Sequence, residues 1–264
     1  MKVALAVPRQ GSTLRASLRV LLDYVRRAAA AGADLVAFPE AALTGTVNND
    51  DPRHDLALGV SVPGPETGVL AAAAERHSIW VALGLIERAG SRLYDAAVLI
   101  SASGRLRLKY RRITPGWHGA KASPGTYGHG RTLPAVRTPF GAVAFLVCGD
   151  LFDPRLARRV RRMRPDLLVV PLARSFEDGA VDQRRWDRTE MPDYLRQVRR
   201  CGAAALLVNS LDRRTGSFGG AWAATADGAK SAALPLGRAG MLVAAVGALP
   251  GRGPSSIIPE QKRP

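Results

Sequence analysis

"AVAFLVCGDLFDP", residues 142–154, is the stretch on which the fold turns. Five apolar residues, Val143 to Val147, run without a polar break into Cys148, Gly149 and Asp150. A short apolar run closed by a Gly-Asp turn has the pattern of a buried strand. It leaves a cysteine where the strand stops, and strand carboxyl ends are where open α/β sheets build their sites. The thiol is therefore either a core residue or a group presented for reaction.

Downstream, "RLARRVRRMR" (155–164) sets Leu156, Val160 and Met163 at helical spacing, which predicts a helix with one apolar face and a solvated arginine face. "PDLLVVP" (165–171) then reads as a second buried strand, residues 192–201 as a helix and "AAALLVNS" (203–210) as a third strand. The first half has the same rhythm. "KVALAV" (2–7) and "ADLVAFPE" (33–40) are strands flanking a helix over 12–31, and 66–77 is a further helix. "WVALGLIE" (80–87), "YDAAVLIS" (94–101) and "RLRLKYR" (105–111) follow as strands, the last alternating and half exposed. "GGAWAATADGAK" and "GMLVAAVG" read as a late hairpin with a Asp-Gly turn. Residues 112–134 carry no period, and so long a loop inside a compact domain is usually functional. The halves repeat weakly, which predicts two related sheets packed as a sandwich with helices outside. One domain over 1–250 and a polar, Pro-rich arm over 251–264 account for the chain.

Bulk properties narrow the function. The net charge is +16, yet the basic residues are spread along the chain, so the charge suits an anionic small molecule better than a specific nucleic acid. No apolar run is long enough to span a membrane, and "VALAV" after Met1 and Lys2 is too short for a signal peptide. Two cysteines, Cys148 and Cys201, make no disulfide framework, and a reducing cytoplasm is the expected compartment. The four histidines have no metal-ligand spacing and no phosphate-binding Gly-rich loop is present, so neither metal nor cofactor is expected.

Three residues occupy comparable places. Glu40 closes a strand, Lys109 lies near the end of another, and Cys148 closes a third. A thiol needs a base to become a nucleophile, a carboxylate can take that proton, and a fixed cation can hold the oxyanion formed when sulfur attacks a carbonyl. Taken singly each has a bland reading: core cysteine, capping glutamate, edge-blunting lysine. As an ordered set they resemble the nitrilase, or carbon–nitrogen hydrolase, superfamily. The likeness rests on "GADLVAFPEAALTG" (32–45) around Glu40, "LKYRRITP" (108–115) around Lys109 and "FLVCGDLFDP" (145–154) around Cys148.

That resemblance implies a four-layer α-β-β-α sandwich, a homodimer or larger oligomer, and hydrolysis of an amide, N-carbamoyl group or nitrile through a cysteine thioester. Glu40 would be the base, Lys109 and the Gly149 amide the oxyanion holders, and no cofactor would be needed. The chain departs from the family in two places. After the cysteine the family has Arg, an aromatic residue, Pro and Glu, where this chain has Phe152, Asp153, Pro154 and Arg155. Many members also carry a second glutamate in the loop between lysine and cysteine, but residues 96–149 contain no Asp or Glu. His118 and Ser123 are the candidate substitutes, with His129 behind them. Trp117 and Arg174 are candidates for substrate contact, and Arg111 and Arg112 for pairing with a substrate carboxylate. Asp150 is read as structural. The expected activity is cleavage of a non-peptide C–N bond in an amide or N-carbamoyl compound. An acyltransferase using the same cysteine, or a non-catalytic binding protein on the same fold, are the rival readings.

Overall fold

The computed structural model describes residues 1–246, so the arm expected over 251–264 lies outside the described residues. Two six-stranded sheets are built from the two halves of the chain, except that the last strand joins the first sheet. The first comprises β1 (Lys2–Val7), β2 (Leu35–Ala37), β3 (Trp80–Ala89), β4 (Arg92–Ile100), β5 (Leu106–Arg111) and β14 (Gly240–Ala245), in the order β14-β1-β2-β3-β4-β5. The second comprises β6 (Ala135–Thr138), β7 (Gly141–Phe145), β8 (Leu167–Leu172), β9 (Ala204–Asn209), β12 (Ala221–Ala224) and β13 (Lys230–Leu234), in the order β13-β12-β9-β8-β7-β6. A two-residue pair, β10 (Leu211–Asp212) with β11 (Ser217–Phe218), stands apart. In both sheets the central strands run parallel and the outer ones antiparallel.

Strand alternation assigns the layers. In β1 the odd residues Val3, Leu5 and Val7 face the second sheet, where they join Val143, Phe145, Val169 and Leu206 in one core. The even residues Ala4 and Ala6 face outward, against Leu21 and Val25 of α1 (Leu14–Ala30). After a short turn, α2 (Pro52–Asp55), helix α3 (Pro65–Arg76) covers the same sheet with Leu70 and Ala74. The far side of the second sheet is covered by α4 (Pro154–Met163) and α6 (Met191–Cys201), through Leu156, Val160 and Val198. The short α5 (Gln183–Arg185) and a π-helical turn over Trp186–Glu190 lead into α6. This is the α-β-β-α sandwich expected from the sequence.

Local chemistry accounts for the helix ends. Thr13 caps α1 by accepting from the Ala16 amide at 3.1 Å. Asp153 caps α4 by accepting from the Arg155 and Leu156 amides, with Pro154 at the first helical position, where no N–H is needed. The arginines Arg158, Arg161 and Arg162 lie exposed on α4, as its pattern predicts. Among the described residues no helix is long and apolar enough to cross a membrane.

One expectation is corrected. The late hairpin joins β12 to β13 through the turn at Asp227-Gly228, but "GMLVAAV" does not pair within it. That segment crosses to the other sheet and lies antiparallel to β1, with Lys2 opposite Ala245. A strand pattern specifies which face is apolar, not which of two open sheet edges it closes.

Candidate active site

Cys148 follows β7 and opens a one-turn 3₁₀ helix over Cys148–Phe152. Its φ is 47°, a left-handed conformation that a residue with a side chain adopts only under strain. Asp150 holds this turn in place. Its buried carboxylate accepts from the Tyr110 hydroxyl at 2.6 Å, the Thr114 amide at 2.8 Å, the Ile113 amide at 3.2 Å and the Val147 amide at 3.3 Å. The structural role read for Asp150 is therefore what is found, and it ties the cysteine turn to the segment leaving β5.

Glu40 sits in a turn after β2 that bridges the sheets. Its amide donates to Leu172 O at 3.3 Å and its carbonyl accepts from Ser210 Oγ at 2.8 Å, both at the ends of strands in the second sheet. β3 passes close beneath. A Cβ on Gly84 would lie 2.6 Å from Glu40 Cα, so only glycine lets the strand run under this turn.

The cation beside Glu40 is Arg112. Its Nη1 donates to Glu40 Oε1 at 3.2 Å and to Asp95 Oδ2, on β4, at 3.3 Å. All three residues are nearly sealed from solvent, at 5%, 4% and 1% exposure for Arg112, Glu40 and Asp95. A Cβ on Gly149 would lie only 2.7 Å from Arg112 Nη2, so a larger residue after the cysteine would push the guanidinium aside. Two carboxyls and one guanidinium leave Glu40 Oε2 and Asp95 Oδ1 buried without a hydrogen-bond partner.

Lys109 is not brought to this site. On β5 the side chains alternate, so Leu108 and Tyr110 turn into the core between the sheets and Arg112 follows on that side. Lys109 and Arg111 point to the other face, where both pair with buried Glu87. Lys109 Nζ donates to Glu87 Oε1 at 2.7 Å and to Val62 O at 3.1 Å, and Arg111 binds Glu87 in a fork at 2.7 and 2.8 Å. The expectation of a lysine at the site is thus replaced by an arginine three residues later.

The loop candidates stay away as well. His118 packs on Trp117, Tyr127 and His129, with ring centroids 5.0, 5.3 and 5.3 Å away. Ser123 is an exposed turn residue whose carbonyl accepts from the Thr126 and Tyr127 amides. Trp117 belongs to a small core with Ala41, Ile86, Leu93 and Tyr127 and does not line the cavity. A second acid does reach the cluster, from another element: Asp95, on β4. Its only sequence signal is one acid at the head of an apolar run, "YDAAVLI".

A cavity of about 420 Å³ opens over Cys148, lined by Arg112, Gly149, Phe152, Arg174, Glu190 and Tyr194 among others. Phe152 and Tyr194 meet edge to face at 4.8 Å and form one wall. Arg174 does line the cavity, but it is not a free anchor, because Glu190 takes it in a fork at 2.8 Å on both oxygens. Asp193, also on the rim, pairs with Arg196. Trp186 and Phe176 pack in the core behind, and Cys201 is buried there at the end of α6.

Burial pushes the Cys148 thiol above its usual range, and the Glu40 charge adds to this. Arg112 and the backbone N–H of Ala173 pull the other way. Burial likewise raises the Asp95 carboxyl well above the ordinary carboxylate range, the Glu40 charge adding and Arg112 opposing. A protonated thiol beside a carboxylate base and a buried cation is suited to attack that is coupled to proton transfer. Among the described residues no group of His, Cys, Asp or Glu is placed to hold a metal ion.

Comparison with known proteins gives the family and the fold. The sequence model of the family described as "Carbon-nitrogen hydrolase" matches residues 2–246. A bifunctional nitrilase/nitrile hydratase from Lupinus angustifolius is 29% identical over 187 residues, which are 64% of this chain and 53% of the relative. The chain thus spans about half the length of that curated relative. A carbon-nitrogen hydrolase from Helicobacter pylori G27 has the same fold, with a TM-score of 0.79 at 17% identity, covering 92% of this chain and 88% of the other. An amidase from Nesterenkonia sp. AN1, with acrylamide added at its active site cysteine, superposes with a TM-score of 0.74 at 19% identity over 94% of each chain.

Proposed function

The chain belongs to the carbon–nitrogen hydrolase family, and from that premise we propose that it hydrolyses a neutral amide or N-carbamoyl compound through a thioester on Cys148. The observation that carries this reading is the meeting of Glu40 with Arg112 beside Cys148, the latter two lining one cavity.

In the proposed reaction Glu40 takes the proton from Cys148 as sulfur attacks the carbonyl carbon. The oxyanion is held by Arg112 and by the backbone amides of Gly149 and Ala173. As the tetrahedral adduct collapses, Glu40 passes the proton to the leaving nitrogen and the C–N bond breaks. Glu40 then removes a proton from water, whose oxygen attacks the thioester. The acid leaves and the proton returns to sulfur. The buried Arg112–Glu40 pair is held ready for this, so little rearrangement is needed as charge develops.

The cavity wall supports a neutral substrate. Arg174 is matched by Glu190, Asp193 by Arg196 and Arg112 by Glu40 and Asp95, so among the described residues the lining offers no unmatched cation to a substrate carboxylate. The aromatic pair Phe152 and Tyr194 favours a flat or apolar group beside the reacting carbonyl.

The test is a panel of neutral amides, ureido compounds and nitriles, assayed for released ammonia, with the intact mass of the protein followed in parallel. An acyl adduct on Cys148 and ammonia from one of these classes are expected. Absence of any adduct and any ammonia across the panel would remove the hydrolase reading. An adduct discharged only by added amines would replace it with acyl transfer.

A further inference from the structure

The Glu40–Arg112–Cys148 cluster contains one acid more than the reaction above uses. Asp95 is buried, on β4, with one oxygen 3.3 Å from Arg112 Nη1 and the other without a partner. Glu40 is arranged alike, with Oε1 on the same nitrogen and Oε2 unpartnered. Were both acids ionised, a dry site with one guanidinium would hold an uncompensated negative charge, which is strongly disfavoured. The two carboxyls are within hydrogen-bonding reach of each other, so a proton between them both cancels the charge and gives the two orphan oxygens a partner.

We propose that Asp95 is a positioning residue that carries a proton shared with Glu40 at neutral pH, which keeps Glu40 ionised as the base and leaves the charge of Arg112 available to the oxyanion. The role rests on the function proposed above. Burial, together with the Glu40 charge, acts in the same direction on the Asp95 carboxyl.

The charged and titratable groups that face the pair are few. Arg112 comes from the end of β5, Cys148 and Asp150 from the 3₁₀ turn, and Tyr110 from β5, where its hydroxyl is committed to Asp150. Loss of the shared proton at alkaline pH would set a second negative charge beside the thiol and divide Arg112 between two carboxylates. Cys148 would then ionise less readily, and activity would fall on the alkaline side.

Two measurements on the whole protein test this. Infrared spectra at neutral pH should contain the carbonyl stretch of a protonated, buried carboxyl that shifts in heavy water. It should vanish in Asp95→Asn and as wild type is taken alkaline. It should vanish at neutral pH in Glu40→Gln too, because Asp95 then faces Arg112 without a competing charge. The second measurement is the pH dependence of Cys148 alkylation by iodoacetamide, followed on the Cys148 peptide by mass spectrometry. Asp95→Asn keeps the shape and a hydrogen-bond donor but cannot ionise, so its alkaline limb should move by at least about one pH unit. Failure to see the band in wild type, its persistence in Glu40→Gln, or superimposable alkylation profiles would each overturn the shared proton. Neither measurement needs turnover. The band without ammonia from any substrate would therefore sink the hydrolase reading and leave the carboxyl pair standing.

Discussion

Arg112 and Glu40 meet at 3.2 Å, although 72 residues separate them in the chain, and the contact is sealed inside the protein between the two sheets. One residue leaves β5 and the other closes the turn after β2, so their meeting depends on the order β2-β3-β4-β5 of the first sheet. This pair, and not Lys109, sets the cation of the site, which leads directly to a mutational test.

Arg112→Lys is expected to keep a measurable fraction of turnover, because it preserves the charge but loses the planar guanidinium whose Nη1 donates to both Glu40 and Asp95. Arg112→Met should abolish turnover and destabilise the fold by about 3–5 kcal/mol, since it strands buried carboxyls. Lys109→Ala should leave kcat/KM near wild type. Steady-state kinetics on all three variants decides it, and loss of turnover in Lys109→Ala with Arg112→Met active would restore the lysine.

Glu87 gives a pH dependence of stability. Burial alone would raise its carboxyl, but hydrogen bonds from Arg111 and Lys109 outweigh that and hold it below its ordinary value of 4.5. A depressed carboxylate contributes stability that is fully present above the unfolded value and is lost as pH falls through the folded one. Urea midpoints should therefore drop as pH falls below about 5, and Glu87→Gln should flatten part of that slope. Lys109→Ala should cost only about 1 kcal/mol at neutral pH, since Arg111 keeps its fork and Lys109 is partly solvated.

The nucleophile assignment separates the two thiols. Cys148→Ala should lose turnover and the acyl adduct while melting near wild type, because the residue is only half-buried. Cys201→Ala should keep turnover at some cost in stability. Burial pushes the Cys201 thiol up to about 12, and, unlike Cys148, it has no carboxylate or cation beside it to draw off its proton. Retained turnover in Cys148→Ala would end the thioester mechanism.

Asp150→Asn should hurt both stability and rate. The amide nitrogen of an asparagine cannot accept from the N–H and O–H donors that converge on this carboxylate, and about 2–3 kcal/mol of stability should be lost. Because the same bonds tie Thr114 and Tyr110 to the cysteine turn, kcat should fall more than KM rises. A destabilised variant with wild-type kcat would show that the clamp is purely structural.

The arginine face of α4 is expected to be a solvated surface. Arg158, Arg161, Arg162 and Arg164 line a shallow hollow there. Binding to a DNA duplex should be weak, indifferent to sequence, and reduced by at least about tenfold between 50 and 200 mM salt. Tight, sequence-selective binding at physiological salt would contradict this.

Much of the architecture was legible in the sequence because burial imposes a period. The runs at 143–147, 167–172 and 204–208 are apolar without interruption, as strands covered on both faces must be, and each lies in a central strand of the second sheet or leads out of one. The cysteine after the first of these runs and the glutamate after "LVAFP" could be named as partners from their places at strand ends. The cation could not. Lys109 and Arg112 are both basic and both close to the end of β5, and the alternation of "LRLKYRR" separates them onto opposite faces without saying which face meets Cys148. Only the packing of the first sheet on the second decided that, by burying Tyr110 and Arg112 between them and leaving Lys109 to Glu87. Asp95 was hidden for the same reason. In its strand it looks like a stray acid, and it becomes part of the cluster only because β4 lies beside β5 and brings Asp95 within reach of the Arg112 side chain. Period and polarity are properties of neighbours in the chain, whereas a buried charge cluster is assembled from residues whose only common property is where the sheets place them.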